Sequence, residues 1–292
     1  MKIKLLFTFL IACFILSGCG QKEPDIVIGA KDFTEQYILG NMLVRLIEEN
    51  TDFTAELKVD MASDVLFASI RTGVVDLYVE YTGTVYGSYL RHSETRPSEE
   101  VYDISVNELC ERYGLLMLNL LGFNNTFSLA VRNDTATENN LVSISDLAEI
   151  SHNLIFGGSA EILSRFDGIP NLKRLYNMNF LDELAMDGIY RYDAIANDEI
   201  QVVEAFSTDG MLFEHELVVL EDDLEFFPPY YAAIIIRSET YERFPGLSDI
   251  LDKLTGVLTD DVMRNLNYRA DVLGKSPRDI AEDFLKSNNF IQ

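Results

Sequence analysis

Short apolar strands alternate with amphipathic helices in the first part of the chain. Residues 25–30 read DIVIGA, and the apolar residues between Ile38 and Ile47 recur at helical spacing. Asp32 and Glu35 resemble a capping box at the start of that helix. Such alternation is typical of a largely parallel sheet with helices on both faces. Strands are predicted at residues 25–30, 55–59 and 75–79, and a further helix at residues 64–71.

A second block of strands and helices begins at residues 127–132, where an apolar strand precedes a polar stretch. Helix and strand signals resume from residue 145 to residue 220. A very apolar strand at residues 231–236 is then followed by helical spacing up to residue 285. The chain has 292 residues, which is enough for two domains of ordinary size. The predicted fold class is therefore α/β, with two α/β blocks.

The first residues have the layout of a secretory signal sequence, with Lys2 and Lys4 before an apolar run. That run ends at residue 16 and is short for a membrane span, which needs about 20 residues. It leads into Leu-Ser-Gly-Cys, which resembles a bacterial lipoprotein cleavage box in which Cys19 is lipidated. A simple N-terminal membrane anchor is the alternative. We expect a lipoprotein signal peptide at residues 1–18, a tether at residues 19–25, and an extracytoplasmic protein anchored to the cell membrane.

The balance of charges argues against polyanionic partners. The chain has 23 Lys and Arg residues against 48 Asp and Glu residues, a formal net charge of −25. Most of its surface would repel phosphate backbones, so nucleic acid is not an expected partner. The three Cys residues show neither a disulfide framework nor zinc-ligand spacing, and no metal or cofactor is expected. Cys110 is expected to be a buried apolar residue of a helix at residues 106–113.

Motifs of catalysis are missing from the sequence. It contains no phosphate-binding loop, no H-E-x-x-H and no G-x-S-x-G, and His92, His152 and His215 lie far apart. Carboxylates are so abundant that chance pairs are expected, and the sequence singles out none of them. The protein is therefore not expected to be an enzyme, and a secreted hydrolase is the less favoured alternative.

Several short motifs occur together, in one order, along residues 25–290. They are IGAKDFTEQ (28–36), DLYVEYTGT (76–84), NNTF (124–127), RFDG (165–168), FSTDG (206–210), FFPPY (226–230) and LNY (266–268). Each motif alone means little, and the ordered set is what is specific. The set resembles the substrate-binding proteins of glycine betaine/choline/carnitine ABC transporters.

This resemblance implies a type II periplasmic binding-protein fold, in which two α/β lobes joined by two chain crossings enclose a solute. The two α/β blocks derived from the hydrophobic periodicity are compatible with that chain path. The crossings are expected near residues 125–130 and 229–233. The expected division places lobe I at residues 26–128 and 231–292, and lobe II at residues 129–230.

A quaternary ammonium group cannot donate a hydrogen bond, so aromatic faces must hold it, each contributing about 0.5–2 kcal/mol. The resemblance implies an aromatic cage of Tyr81, Phe127, Phe206 and Tyr230, with the main-chain carbonyl of Asn125 facing the methyl groups. Taken singly, these rings would be interpreted as packing residues of the core or the domain interface.

The resemblance also implies a clamp for a carboxylate, formed by Lys31, Thr84 and Arg165. An arginine fork binds a carboxylate through two parallel hydrogen bonds. Two cations at one end of the cleft would favour a carboxylated betaine over choline. Phe127 and Phe206 stand where some members of the family carry Tyr, which leaves the identity of the solute open.

The sequence therefore predicts an extracytoplasmic solute-binding lipoprotein that captures a quaternary-ammonium osmoprotectant similar to glycine betaine. Its expected partners are this small molecule, the ABC permease of its transporter, and the membrane through a lipid on Cys19. The lobes are expected to close on the solute, and the closed form to dock on the permease. A protein of the same fold for another small solute, such as an amino acid, is the main alternative.

Overall fold

The computed structural model describes residues 23–160, 162–164, 168–186 and 190–292, in which ten strands form two five-stranded sheets. Cys19 and Arg165, two of the predicted functional residues, lie outside these ranges. The strands are β1 (Ile26–Lys31), β2 (Ala55–Met61), β3 (Leu77–Tyr81), β4 (Leu115–Asn124), β5 (Phe127–Arg132), β6 (Ile155–Gly158), β7 (Asp182–Ala185), β8 (Val202–Phe206), β9 (Leu217–Val219) and β10 (Tyr231–Arg237).

Helices connect most of the strands and cover the sheets. A six-residue π-helix, Thr84–Tyr89, follows β3, and short 3-10 turns lie at Ser151–Asn153 and Asp252–Leu254. The α-helices are α1 (Thr34–Asn50), α2 (Ser63–Thr72), α3 (Ser98–Tyr113), α4 (Asn133–Asn139), α5 (Ile144–Ile150), α6 (Ile169–Tyr176), α7 (Tyr190–Ala196), α8 (Gly210–Glu214), α9 (Ser238–Arg243), α10 (Leu247–Leu251), α11 (Asp260–Asp271) and α12 (Pro277–Ser287).

Both sheets are mixed. The first has the strand order β2-β1-β3-β10-β4, with β1 parallel to β2 and β3, and β10 antiparallel to β3 and β4. The second, β7-β6-β8-β5-β9, has the same plan, because β6 is parallel to β7 and β8 while β5 is antiparallel to β8 and β9. Each sheet is therefore largely parallel, as predicted, with one antiparallel strand, β10 or β5, which in each case follows a chain crossing.

The chain passes between the sheets at two adjacent crossings. Sheet membership changes between Asn124 and Phe127, and again between Val219 and Tyr231. We call the part built on the first sheet lobe I and the part built on the second sheet lobe II. Phe127 already pairs with a lobe II strand, two residues before residue 129, the predicted start of lobe II.

Hydrogen bonds hold the two crossings side by side. The backbone nitrogen of Asn125 donates to the carbonyl of Tyr230 at 3.1 Å, and that of Tyr230 donates to Asn124 Oδ1 at 2.7 Å. Ser207, just after β8, donates through its hydroxyl to the carbonyl of Asn124. The junction of the lobes is therefore a hydrogen-bonded pair of chain segments.

Helix α1 forms where the sequence predicted it, and its apolar stripe packs against lobe I. Residues of this stripe, such as Met42 and Leu46, are fully buried in a core that also contains α11 and α12. The capping box predicted from Asp32 and Glu35 does not form. Phe33 is the N-cap residue, and its side chain has no hydrogen-bond acceptor with which to cap the helix, while the Glu35 carboxylate is engaged in the interior.

Two elements were not predicted from the sequence, and one local prediction was wrong. No strand was predicted for β4, whose Leu-rich segment pairs with β10 near the chain crossing. Within the polar stretch at residues 133–140, Asn133–Asn139 is a helix that ends at Asn140 in the left-handed conformation. Cys110 is exposed instead of buried, because the buried residues of α3 are Val101, Ser105 and Leu109.

Candidate functional site

A cavity of about 540 Å³ lies between the lobes, beside the two crossings. Lobe I, lobe II and the crossing segments all contribute to its wall. Its aromatic lining consists of Phe33, Phe127, Phe206 and Tyr230, and its other lining residues are Thr34, Glu35, Asn125, Thr208, Asp209, Gly210, Asn267 and Asp271.

The aromatic rings come from both lobes and from the crossings. Phe127 and Phe206 are cross-strand partners on β5 and β8, and their ring centroids are 5.0 Å apart. Phe33 and Phe206 are 38% and 40% exposed, so much of each ring remains available. The Tyr230 ring packs on the backbone of Gly83, where an added Cβ would lie 2.8 Å from it. Glycine at position 83 thus permits this close approach.

Glu35 is a buried carboxylate on which several parts of the chain converge. Its Oε1 accepts hydrogen bonds from Tyr81 Oη (2.6 Å) and Asn125 Nδ2 (2.9 Å), and its Oε2 accepts from Asn267 Nδ2 (3.2 Å). Burial raises the pKa of Glu35, while hydrogen bonds from these groups and Thr208 oppose the rise. The carboxylate therefore links β3, a crossing, α11 and lobe II at one point of the wall.

Lys31 and Tyr81 lie behind the lining residues Phe33 and Glu35, in a layer that we call the floor. Lys31 Nζ makes a buried ion pair with Glu80 and lies 5.0 Å from the centroid of the Tyr81 ring. The Tyr81 ring also stacks on Phe33 at 6.4 Å, and its hydroxyl donates to Glu35. Burial raises the pKa of Tyr81, so the hydroxyl stays protonated and acts as a donor.

Lobe II contains a second buried charge cluster. Arg191 lies between two carboxylates, with Nη1 4.0 Å from Glu204 and Nη2 3.6 Å from Asp209. Tyr192 donates a hydrogen bond to Asp209, and Ser159 donates one to Glu204 through its hydroxyl at 3.1 Å. Burial raises the pKa of Asp209, against the opposing effects of Tyr192 and Arg191. Asp209 is the member of this cluster that reaches the cavity wall.

The structure brings four of the predicted ligand residues, Asn125, Phe127, Phe206 and Tyr230, to one cavity. Lys31, Tyr81 and Thr84 are outside the described lining: Lys31 and Tyr81 belong to the floor, and Thr84 begins the π-helix after β3. The roles of these residues stay predictions, as do those of Arg165 and Cys19.

Several lining residues were missed by the sequence analysis, although most of them stand inside the motifs that it used. Phe33 and Glu35 belong to IGAKDFTEQ, Thr208 and Asp209 to FSTDG, and Asn267 to LNY. Asp271, one helical turn after Asn267 on α11, carried no motif signal. Position within a motif could have found most of this set.

The described residues lack two kinds of feature. They contain no group of three or more His, Cys, Asp and Glu side chains placed to hold a metal ion. None of the helices within the described ranges has the length and apolar character needed to cross a bilayer.

Two α/β lobes that share two crossings and enclose a ring-lined cavity define the class of two-lobed solute-binding proteins. The family model of the substrate binding domain of ABC-type glycine betaine transport systems matches residues 24–287. The chain belongs to this family.

Known relatives agree with that assignment. The carnitine transport binding protein OpuCC of Listeria monocytogenes is 31% identical over 287 residues, covering 97% of this chain and 93% of OpuCC. The ergothioneine transport permease/ergothioneine binding protein EgtU of Helicobacter pylori is 34% identical over 96% of this chain. This chain spans only 51% of EgtU. A crystal structure of a glycine betaine/carnitine/choline ABC transporter matches with a TM-score of 0.89 and 30% identity, over 92% of this chain and 100% of that one.

These comparisons confirm the predicted family and the predicted periplasmic binding-protein fold. They also confirm that the chain is a solute-binding component of a transport system of the glycine betaine type.

Proposed function

We propose that the protein captures a glycine betaine-like quaternary-ammonium solute outside the cytoplasm and delivers it to an ABC permease. The observation that carries this proposal is the cavity itself, where Phe33, Phe127, Phe206 and Tyr230 line a space between the lobes. Aromatic faces attract a cation that cannot donate hydrogen bonds, and they also enclose its methyl groups.

The charges of the wall support a cationic ligand group. Glu35, Asp209 and Asp271 line the cavity, whereas its described lining contains no Lys or Arg. Lys31 belongs to the floor, where Glu80 balances its charge. A trimethylammonium group in the cavity would therefore meet carboxylates together with aromatic rings, and both attract it.

The carboxylate end of such a solute is proposed to bind Arg165. Because Lys31 is paired with Glu80, the preference for a carboxylated betaine over choline depends chiefly on Arg165. We expect glycine betaine to bind at least about tenfold more tightly than choline, since charge-assisted hydrogen bonds contribute on the order of 1.5–3 kcal/mol. Arg165→Ala should weaken glycine betaine far more than choline. Tighter binding of choline to the wild type would contradict this clamp.

A calorimetric screen tests the proposal directly. Purified protein is titrated with glycine betaine, carnitine, choline, ergothioneine and common amino acids under one set of conditions. Saturable binding of trimethylammonium compounds, with much weaker amino acid binding, supports the proposal. Preference for an amino acid would favour the alternative solute class, and consumption of any ligand with release of a product would indicate a hydrolase. We expect binding without turnover.

A larger betaine is the second candidate. Asn125, Thr208 and Asn267 add polar groups to the wall beyond what a trimethylammonium group alone requires. The cavity volume also falls within the range of about 300–1,000 Å³ that is usual for small-molecule sites. Carnitine and ergothioneine, named for the relatives in Listeria and Helicobacter, are therefore the arms of the screen that test this candidate.

Delivery would depend on closure of the lobes. Helices α8 of lobe II and α11 of lobe I meet so closely that a Cβ at Gly210 would lie 2.6 Å from the backbone nitrogen of Tyr268. Asn267 Nδ2 also donates to the carbonyl of Thr208 at 2.8 Å. This direct backbone packing would join the two lobes in the closed form that holds the solute. A permease would then bind a surface to which both lobes contribute.

Attachment to the membrane is proposed to occur through a lipid on Cys19, at the end of the lipoprotein cleavage box. Mass spectrometry of protein from native membranes should then find a diacylated Cys19 at the N-terminus. A Cys19→Ala protein should be released from the cells. If that variant stays attached as firmly as the wild type, the anchor is a different one.

A further inference from the structure

Among the carboxylates that line the cavity, Asp209 and Asp271 form a pair whose members come from opposite lobes. Asp209 precedes α8 of lobe II, and Asp271 ends α11 of lobe I. The close contact between Gly210 and Tyr268 joins the same two helices, so it holds these carboxylates on facing parts of the wall. Burial raises the pKa of Asp209, and the negative charge of Asp271 adds to that rise. The two carboxylates therefore repel each other across the cleft.

Each of these two residues is hydrogen-bonded to the chain segment that carries one exposed ring. Thr34, next to Phe33, donates its hydroxyl to Asp271 Oδ1 at 2.6 Å. The backbone nitrogen of Asp209 donates to the carbonyl of Phe206 at 2.9 Å. Lobe I therefore has a ring and carboxylate unit formed by Phe33 and Asp271. Lobe II has a second such unit formed by Phe206 and Asp209.

We infer that Asp209 and Asp271 select the positive charge of the ligand, because they place two like charges on facing parts of the wall and a cation between the ring and carboxylate units offsets their repulsion. This inference rests on the proposed function and adds a reason why the site prefers a cationic ligand to an uncharged one of the same shape. An uncharged group of the same shape would fill the rings equally well and leave the repulsion in place.

The surroundings keep both carboxylates available for this role. Arg191 and Tyr192 hold Asp209 on the lobe II side, and the Arg191 charge is shared with Glu204. On the lobe I side, Asp271 accepts a hydrogen bond from the neutral Thr34 hydroxyl. Arg191 is thus shared by two carboxylates, and Asp209 and Asp271 together carry more negative charge than it offsets.

The test compares two probes of one shape. Glycine betaine and tert-butylacetate share a carboxylate and a trimethyl head, but carbon replaces the ammonium nitrogen in tert-butylacetate. The readout is the ratio of their dissociation constants, in which any general effect on closure cancels. Asp271→Asn keeps an acceptor for Thr34 and removes the charge, and Asp209→Asn does the same in lobe II. Asp103→Asn, on the exposed face of α3, is the control with the same change of net charge.

We expect the preference for glycine betaine to fall about tenfold in Asp271→Asn and in Asp209→Asn, and to stay at the wild-type value in Asp103→Asn. A wild-type ratio in both cavity variants overturns the inference and leaves the proposed function standing. An equal loss in Asp103→Asn also overturns it, because net charge would then explain the effect. If the wild type binds no trimethylammonium compound in the screen, the proposed function and this inference both fall.

Discussion

The two lobes bury charge beside the cavity in different ways. In lobe I, Lys31 pairs directly with Glu80, and both side chains are almost completely buried. In lobe II, Arg191 is shared between Glu204 and Asp209 at 4.0 and 3.6 Å, and its Nε is buried without a hydrogen-bond partner among the described residues. Lobe I thus has a balanced pair, whereas lobe II has one carboxylate more than its arginine can neutralise.

The difference assigns different tasks to the two lobes. A buried pair with good geometry is costly to break, because the remaining partner is left as an uncompensated charge. The pair in lobe I therefore fixes the floor and contributes no net charge to the ligand. The looser cluster in lobe II keeps a carboxylate at the wall, where it can act on a bound cation.

The largest expected effect comes from breaking the pair in lobe I. Glu80→Ala leaves the Lys31 ammonium buried without its counter-charge, and it also removes an acceptor from Tyr89 Oη (2.6 Å) and from the backbone of Tyr81 (2.8 Å). We expect the free energy of unfolding to fall by about 3–5 kcal/mol, measured by urea denaturation.

A surface pair provides the control for that experiment. Glu239 pairs with Arg237 at the start of α9, but 81% of its side chain is exposed. Glu239→Ala should change the free energy of unfolding by no more than about 1 kcal/mol. Equal losses in the two variants would mean that the pair in lobe I is not the fixed element described here.

Breaking the cluster in lobe II should cost less. Arg191→Met leaves Glu204 and Asp209 without their shared cation, but its contacts with them are longer than those of a direct pair. We expect a loss of about 1–3 kcal/mol in the free energy of unfolding. Arg174→Met, the same substitution at an exposed position of α6, should have a much smaller effect. A loss greater than that of Glu80→Ala would reverse the comparison of the lobes.

Local patterns in the sequence were sufficient to predict much of the fold. The apolar stripe of α1 and the strand at β5 follow from residue spacing alone, because each depends on neighbours a few positions away. The contacts of Glu35 depend on Asn125 and Asn267, which are 90 and 232 positions further along the chain. Hydrophobic periodicity contains no information about contacts between residues so far apart in the sequence. The local pattern therefore suggested a capping box at Glu35, where the structure has a carboxylate that joins several segments.

The clamp shows the same limit. Lys31, at the end of a strand, has the position expected of a ligand-binding cation, but its ion pair with Glu80, 49 positions away, gave no signal in the local pattern. Conversely, ordered motifs placed Phe127, Phe206 and Tyr230 in one site, because a family motif carries long-range information that spacing lacks. Asp271 had neither kind of signal, and only the three-dimensional structure brings it to the cavity.

The rings of the two lobes should contribute equally to binding. Phe33 of lobe I and Phe206 of lobe II have nearly the same exposure and face the same cavity. Phe33→Ala and Phe206→Ala should each weaken glycine betaine by about 0.5–2 kcal/mol in calorimetric titrations. Tyr241→Ala, at a ring that is 39% exposed on α9, should leave binding unchanged. Loss in only one lobe would mean that the ammonium group sits against that lobe alone.

The smallest expected effect is a dependence of the free energy of unfolding on pH. It shows whether burial or the ion pair with Arg191 has the larger influence on the pKa of Asp209. Burial raises the pKa of Asp209 above its ordinary value of 3.8, so the folded protein holds this proton more tightly than the unfolded chain. The stability that this protonation contributes is fully present below pH 3.8 and is lost as the pH rises through the folded pKa.

Asp209→Asn lacks this titration, while the other carboxylates titrate in both proteins and cancel in the difference. The free energy of unfolding of the wild type, measured relative to Asp209→Asn by urea denaturation, should therefore decrease as the pH rises from 3.8. The opposite trend would mean that Arg191 stabilises the ionised carboxylate more than burial destabilises it, and lobe II would then resemble the balanced pair of lobe I.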